Sequence, residues 1–278
     1  MAYRDILVQI DETAASRTRA RAAAALAATF QAHLTGVFLK SDFFRTYQGA
    51  EAFNYMPPET IDRLLRDHAR GVAEAAETAR ALFEAAAGDA GVESRWLEVA
   101  GDDALALTDC ARRFDLTVLP PLLRTSYGIA RIPAADIGLA AGGPILVVPE
   151  TGAATGAADR ILVAWKGARE SARALHDAWP LLAEAKEVHV LVVAHAGEGG
   201  PEGLLQRHLE RHGCKPNIIV DRSEDASAAA IIRRQAAALG ADLVVMGLYG
   251  RARLAEFVLG GVSHDLLAAA PVPLFLSH

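Results

Sequence analysis

At 278 residues the chain has room for one large or two ordinary domains. Its 52% hydrophobic and 22% charged residues are those of a packed globular protein, far from the polar, highly charged composition of a disordered one. A formal net charge of -6 gives no general electrostatic reason to bind nucleic acid or an anionic membrane surface, and neither is expected as a partner.

The chain opens on "MAYRDILVQIDE", which becomes charged within its first residues and lacks the apolar stretch of a secretion signal. No run reaches the roughly 18 to 20 apolar residues that cross a bilayer. Cys110 and Cys214 lie in separate halves without CxxC spacing, so neither a disulfide framework nor a cysteine metal site is expected, and a reducing cytoplasm fits.

In chain order, "ILVQI" from Ile6 reads as a strand, followed by an alanine-rich helical pattern and a second strand, "HLTGVFL" from His33. An insertion near residues 41–66 follows, carrying Phe43, Phe44, Tyr47, Phe53, Tyr55 and Met56. It reads either as a loop packed on its own domain or as a lid or partner-binding surface. Pro57 and Pro58 suit the first turn of the long helix expected next. "LTVL" from Leu116 and "ILVVP" from Ile145 close the first half, and "PETGAATGAAD", Pro149 to Asp159, reads as a linker.

The order then repeats. "RDILVQIDETAASRTRARAAAALAA" from Arg4 aligns with "DRILVAWKGARESARALHDAWPLLA" from Asp159 at an offset of 155. "FDLTVLP" from Phe114 meets "ADLVVMG" from Ala241 at 127, and "GGPILVVP" from Gly142 meets "APVPLFLS" from Ala270 near 128, so the first half carries the net insertion. Short Val/Ile/Leu strands alternating with helices indicate an α/β class: two tandem, doubly wound, Rossmann-like parallel-sheet domains, 1–150 and 159–278. The final strands "ILVVP" and "PLFLS" are edge-like and able to pair within or between chains.

"MGLYGRARLAEFVLGGVS", Met246 to Ser263, follows the strand "ADLVVM" and precedes a short helical stretch that Pro271 stops. Ligands in such sheets bind beyond the carboxyl ends of the strands, where glycine admits close backbone approach and a helix N-terminus favours phosphate. Three glycines at fixed spacing carry little weight in a chain with 23 of them, so the strand-then-helix placement is the argument for phosphate binding over an ordinary turn.

Gly247-x-x-Gly250, nine residues, then Gly260, in this context, resembles the nucleotide-binding signature of the universal stress protein family, and "ILVQIDETAAS" and "ILVAWKGARESARAL" resemble its first strand and helix. The resemblance covers nearly the whole chain and implies a tandem member with an adenine nucleotide alpha hydrolase-like fold. It further implies ATP or another adenine nucleotide, with Mg as an accompanying ion, its phosphates over the glycine loop and a carboxylate after the first strand near base and ribose. Carried onto the second half, the binding residues are Ala164, Trp165, Lys166, Met246, Gly247, Gly250, Arg251, Gly260, Gly261, Val262 and Ser263. Gly261 replaces the usual hydroxyl residue, with Ser263 at a further hydroxyl position. Lys166 replaces the acid represented in the first half by Asp11, and a cation cannot accept the hydrogen bonds a carboxylate would take. Trp165 reads either as a base-stacking ring or as a core indole.

The first half keeps Asp11, but "PPLLRTSYGIARIPAADIG" places Pro120, Leu123, Arg131 and Ile132 at or near the signature glycines, and it is expected to support the other half rather than bind. His208 and His212, four apart, read as a solvated helix face, and His264 and Asp265 sit at a helix start. No catalytic residues or metal ligands are assigned, because GxSxG, GxxxxGK[ST] and HExxH patterns are absent. The function expected is a stress-response sensor or adaptor that binds ATP through its second domain. The alternatives are a partner-recruitment module without nucleotide, homodimeric or bound to another protein, and a slow ATP hydrolase.

Overall fold

In the computed structural model, residues 2–44, 55–101, 104–127, 131–150, 158–193, 202–223, 226–248 and 261–278 are described. Strand β1 (Asp5–Gln9) leads into helix α1 (Ala14–Phe30), strand β2 (His33–Lys40), helix α2 (Pro58–Ala90), strand β3 (Ser94–Ala100), helix α3 (Ala104–Ala111) and strand β4 (Leu116–Leu119). A hairpin of β5 (Leu122–Arg124) and β6 (Arg131–Pro133) precedes helix α4 (Ala134–Ala141) and strand β7 (Ile145–Val147). The second half comprises β8 (Arg160–Trp165), α5 (Arg169–Asp177), α6 (Trp179–Glu184), β9 (Glu187–Val193), α7 (Glu202–Arg211), β10 (Pro216–Asp221), α8 (Ala228–Leu239), β11 (Leu243–Gly247), α9 (Val262–Ala268) and β12 (Leu274–Ser277).

The two parallel sheets expected from sequence are halves of one ten-stranded sheet, ordered β3-β2-β1-β4-β7-β12-β11-β8-β9-β10. Pairing is parallel within each half and antiparallel at the junction, where Leu274 faces Val147, Phe275 faces Leu146 and Leu276 faces Ile145. The pairing of the final strands that sequence left open is thus made within the chain. These six residues are buried, as apolar strands covered on both faces require. One layer of core contains Ile6, Val8 and Leu146 together with Val163, Val245 and Phe275, so both halves share it.

Equivalent anchors recur on either side of the junction. The Asp115 carboxylate accepts from the Arg4 and Asp5 amides at 2.7 and 3.0 Å, and the Asp242 carboxylate from the Asp159 and Arg160 amides at 3.0 and 3.1 Å. Each fixes the start of a central strand, β1 or β8, beside its parallel neighbour, β4 or β11.

Two features depart from the repeat. The helix that is continuous as α1 is split in the second half into α5 and α6, with Pro180 in the first turn of α6, because proline removes a helical donor and crowds the preceding turn. The β5–β6 hairpin was not expected. Its strands point Leu123 and Ile132 into the core and leave Arg124 and Arg131 outside, the alternation of a ribbon lying on a protein surface. The prolines expected to start a helix do so, with Pro57 as cap and Pro58 as first residue of α2.

Candidate functional site

The strand order reverses direction between β8 and β11, and crevices in open parallel sheets form beyond the carboxyl ends at such a point. There Met246 pairs with Ala164, placing Trp165 and Lys166 beside Gly247. Met246 is buried, Ala164 and Trp165 are half-buried, and Lys166 is exposed. Trp165 packs its ring against the core. The turn after Lys166 uses Gly167 at φ +71, the left-handed region that favours glycine.

Gly247 is needed for a reason sequence did not reveal. A Cβ there would lie 2.6 Å from the Glu170 carbonyl carbon, 2.7 Å from its Cβ and 2.8 Å from the Ser171 nitrogen, so glycine is what lets the first turn of α5 rest on the end of β11. Ser263, buried at the start of α9, donates to the Gly247 carbonyl at 3.4 Å. Gly261 caps α9 in extended conformation, with φ -136, and Val262 is the first helical residue. A Cβ at Gly261 would meet nothing within 4 Å, so the position has space for the hydroxyl residue it lacks. Gly250, Arg251 and Gly260 lie outside the described residues.

Two further residues hold the point where the glycine segment leaves the sheet. The Leu248 amide donates to the Ser277 carbonyl at 2.8 Å, and the Leu248 carbonyl accepts from His278 Nδ1 at 2.8 Å. That bond requires the proton on Nδ1, which leaves Nε2 to accept from Arg169 at 3.3 Å. Arg169 and His278 carry no motif, and only the closing of β12 beside β11 brings them together. His264 and Asp265 face each other at 3.5 Å, and the Asp265 carbonyl accepts from Arg233 on α8.

In the first half the corresponding acid is enclosed. Asp11 Oδ1 accepts from the Thr13 amide, the Thr13 hydroxyl and the Ser16 hydroxyl, while Oδ2 faces Arg19 Nη2 at 3.2 Å. Arg19 is fully buried and also donates to the Gln9 carbonyl, the Gln9 side chain and Ser16. Burial pushes the Asp11 carboxyl up, but the Arg19 guanidinium and the hydrogen bonds from Thr13 and Ser16 outweigh it and hold the group below its usual value. At the repeat offset, Gln9, Asp11 and Arg19 become Ala164, Lys166 and Ala174. The pair has been removed together, so Lys166 is not set against a buried arginine.

The β5–β6 hairpin follows β4, where the second half carries its glycine segment after β11. Pro120, Leu123 and Ile132 are buried and Arg131 is exposed, an arrangement of side chains rather than open backbone donors. Nearby, Ser41 donates to the Ser126 carbonyl at 2.7 Å, which makes His68 Nε2 the donor to Ser41 Oγ at 3.0 Å. A serine in that role is a clasp and not an activated nucleophile. Burial raises both the Cys110 and Cys214 thiols, which keeps them protonated and unreactive.

In the aromatic insertion, Phe43 is buried against His68, at 5.4 Å between ring centres, whereas Phe44 and Tyr55 are 65% and 86% exposed; Tyr47 and Phe53 lie outside the described residues. Of the pair expected on a solvated face, His212 is exposed and His208 half-buried; their rings lie 4.9 Å apart and His176 stands 5.6 Å from His208. Among the described residues no group of three His, Cys, Asp or Glu side chains is placed to hold a metal, and no helix is long and apolar enough to cross a membrane.

A doubly wound, mostly parallel sheet with Gly247 at its switch point defines an α/β protein. Residues 157–278 match the model of the universal stress protein family. A universal stress protein from Archaeoglobus fulgidus DSM 4304 superposes with a TM-score of 0.74 at 14% identity, over 98% of this chain and 97% of that one. A universal stress protein, described as putative, from Pseudomonas aeruginosa UCBPP-PA14 gives 0.58 at 16% identity, over 99% and 93%. A functionally unknown protein from Pseudomonas aeruginosa PAO1 gives 0.57 at 16% identity, over 99% and 92%. No curated protein matches the chain by sequence. The second half thus matches the universal stress protein family, and the whole chain shares the fold of these solved structures.

Proposed function

We propose that the chain is a stress-response sensor or adaptor built of two domains, 1–150 and 159–278, and that it binds one adenine nucleotide, ATP with or without Mg, in the second. The observation that carries this reading is the convergence of Gly247, Gly261 and Ser263 at the β8/β11 switch point of the half that matches the family. Ala164, Trp165, Lys166 and Met246 form the adjoining strand ends, Val262 begins the helix behind, and Gly250, Arg251 and Gly260 belong to the connecting segment. Main-chain amides and Ser263 serve the phosphates there, and Lys166 supplies a positive charge in place of a base-reading acid. The first half does not bind, because its acid is consumed by Arg19 and its loop is a hairpin.

Binding to the native state raises stability with the logarithm of ligand concentration, by about 2.7 kcal/mol when ligand is a hundredfold above its dissociation constant. The expected result is an ATP-dependent rise in melting temperature, with adenine nucleotide released on denaturing protein purified under native conditions and identified by mass spectrometry. Absence of both would leave the second reading, recruitment of a second copy or another protein without nucleotide. The exposed Phe44, Tyr55 and Tyr127 side chains favour that reading.

A further inference from the structure

Four rings from three elements stand in a row on the second half. His176, at the end of α5, lies 5.6 Å from His208 on α7; His208 lies 4.9 Å from His212 just past that helix; and His212 lies 4.5 Å from Trp179, the first residue of α6. Beside these histidines on the same face of α7, Leu209 is buried in the core and Leu205 packs against it. The ring row flanks these leucines and joins α7 to α5 through His176 and to α6 through Trp179.

Among the described residues the surrounding charges do not neutralise it. On α5, Asp177 is engaged by Arg173 at 2.8 Å and by the Ser277 hydroxyl at 2.6 Å. On α7, Glu210 accepts from Gln206, while Arg207 and Arg211 add positive charge. Glu184 is the acid of α6, at its far end from Trp179. On β10, under α7, Asp221 is taken by Ser223, Arg234 and Gln235, and Lys215 precedes the strand. The groups that act on His208 electrostatically are His212, His176 and Arg211, all basic, and with burial as the largest cause they draw its proton affinity below that of an ordinary histidine.

We propose that the His176–His208–His212 row is a proton-sensitive clasp that packs α7 against α5 and α6 when its imidazoles are neutral and releases the helix on mild acidification. Histidine is the side chain whose ordinary titration falls between pH 5 and 8, and the rings of His176 and His212 stand within 5.6 Å of His208. A second proton meets a first within 5.6 Å with no free carboxylate beside it among the described residues, so each protonation weakens the stack. The sign follows from His208: its folded proton affinity is below its unfolded one, so the contact is complete above the ordinary histidine range and is lost as pH falls through it.

The test uses the full chain. Imidazole proton resonances are followed by NMR from pH 8 to 5, and amide exchange of α7, corrected for the intrinsic pH dependence of exchange, is measured at both ends. The clasp predicts that His208 titrates below a free histidine, that its titration moves up in His176→Gln, and that α7 exchange accelerates about tenfold in acid. In His208→Gln, a change at a half-exposed position, that acceleration should shrink to less than twofold while the fold, judged by circular dichroism, persists. Three independent, ordinary titrations, or equal acceleration in wild type and His208→Gln, would overturn the proposal.

Discussion

Arg19 donates to the Gln9 carbonyl and pairs with Asp11 inside the first half, so truncating it strands a carboxylate in the core. Arg19→Ala should cost about 3–5 kcal/mol at pH 7, the usual penalty for leaving one partner of a buried pair unmatched, as measured by urea denaturation. Asp11 has its folded proton affinity lowered, so its contribution is present above the ordinary carboxylate value of about 3.9 and is lost as pH falls. The gap between wild type and variant should accordingly narrow on acidification below pH ~4; a gap independent of pH would mean that the pair is not the source. Sequence did not single out Arg19. It sits between Arg17 and Arg21 in an alanine-rich helix, both exposed, and nothing in the spacing marks the middle one as turned inward.

Gly247 shows a related limit. Its place at the end of an apolar run was legible, and it suggested backbone approach by a phosphate. The structure adds a closer neighbour, the α5 backbone, with atoms within 2.6 to 2.8 Å of where a Cβ would stand. Because two of these are main-chain atoms near the start of a helix and the third is the Glu170 Cβ fixed to them, they cannot swing aside as a side-chain tip would. Gly247→Ala should destabilise the protein by about 1–3 kcal/mol, as overpacking of a tight site does. A change below about 0.5 kcal/mol in denaturation would show that α5 shifts freely.

Among the elements, the strands were the most legible, because buried parallel strands are continuous apolar runs and here the runs recur in the same order in both halves. The β5–β6 hairpin was not, since each strand has three residues, too few for an alternating pattern to stand out. The split of α5 from α6 was written in Pro180, yet proline in a first turn and proline in a helix interior look alike until the neighbouring turns are placed. The ring contacts of His208 with His176 and of His212 with Trp179 depend on α7 docking beside those helices, and four-residue spacing along α7 reveals only that two histidines share its face.

Across the whole molecule, the antiparallel β7–β12 pairing joins the halves into one sheet, and the core layer beneath it draws side chains from both. Such a construction should unfold as a unit: calorimetry should give one transition whose calorimetric and van't Hoff enthalpies agree. Two resolved transitions would show that the halves are independent and that the junction contributes little. The same pairing gives the chain two unlike switch points, one closed by Arg19 and a hairpin, the other lined by Gly247, Ser263 and an exposed Lys166. The central claim is that nucleotide binds once per chain, in the second half. Titration calorimetry of ATP into the full chain tests it most directly, with a predicted stoichiometry of one and loss of the heat signal in a folded Gly250→Val variant. A stoichiometry of two, no binding at all, or binding unchanged by Gly250→Val would contradict it.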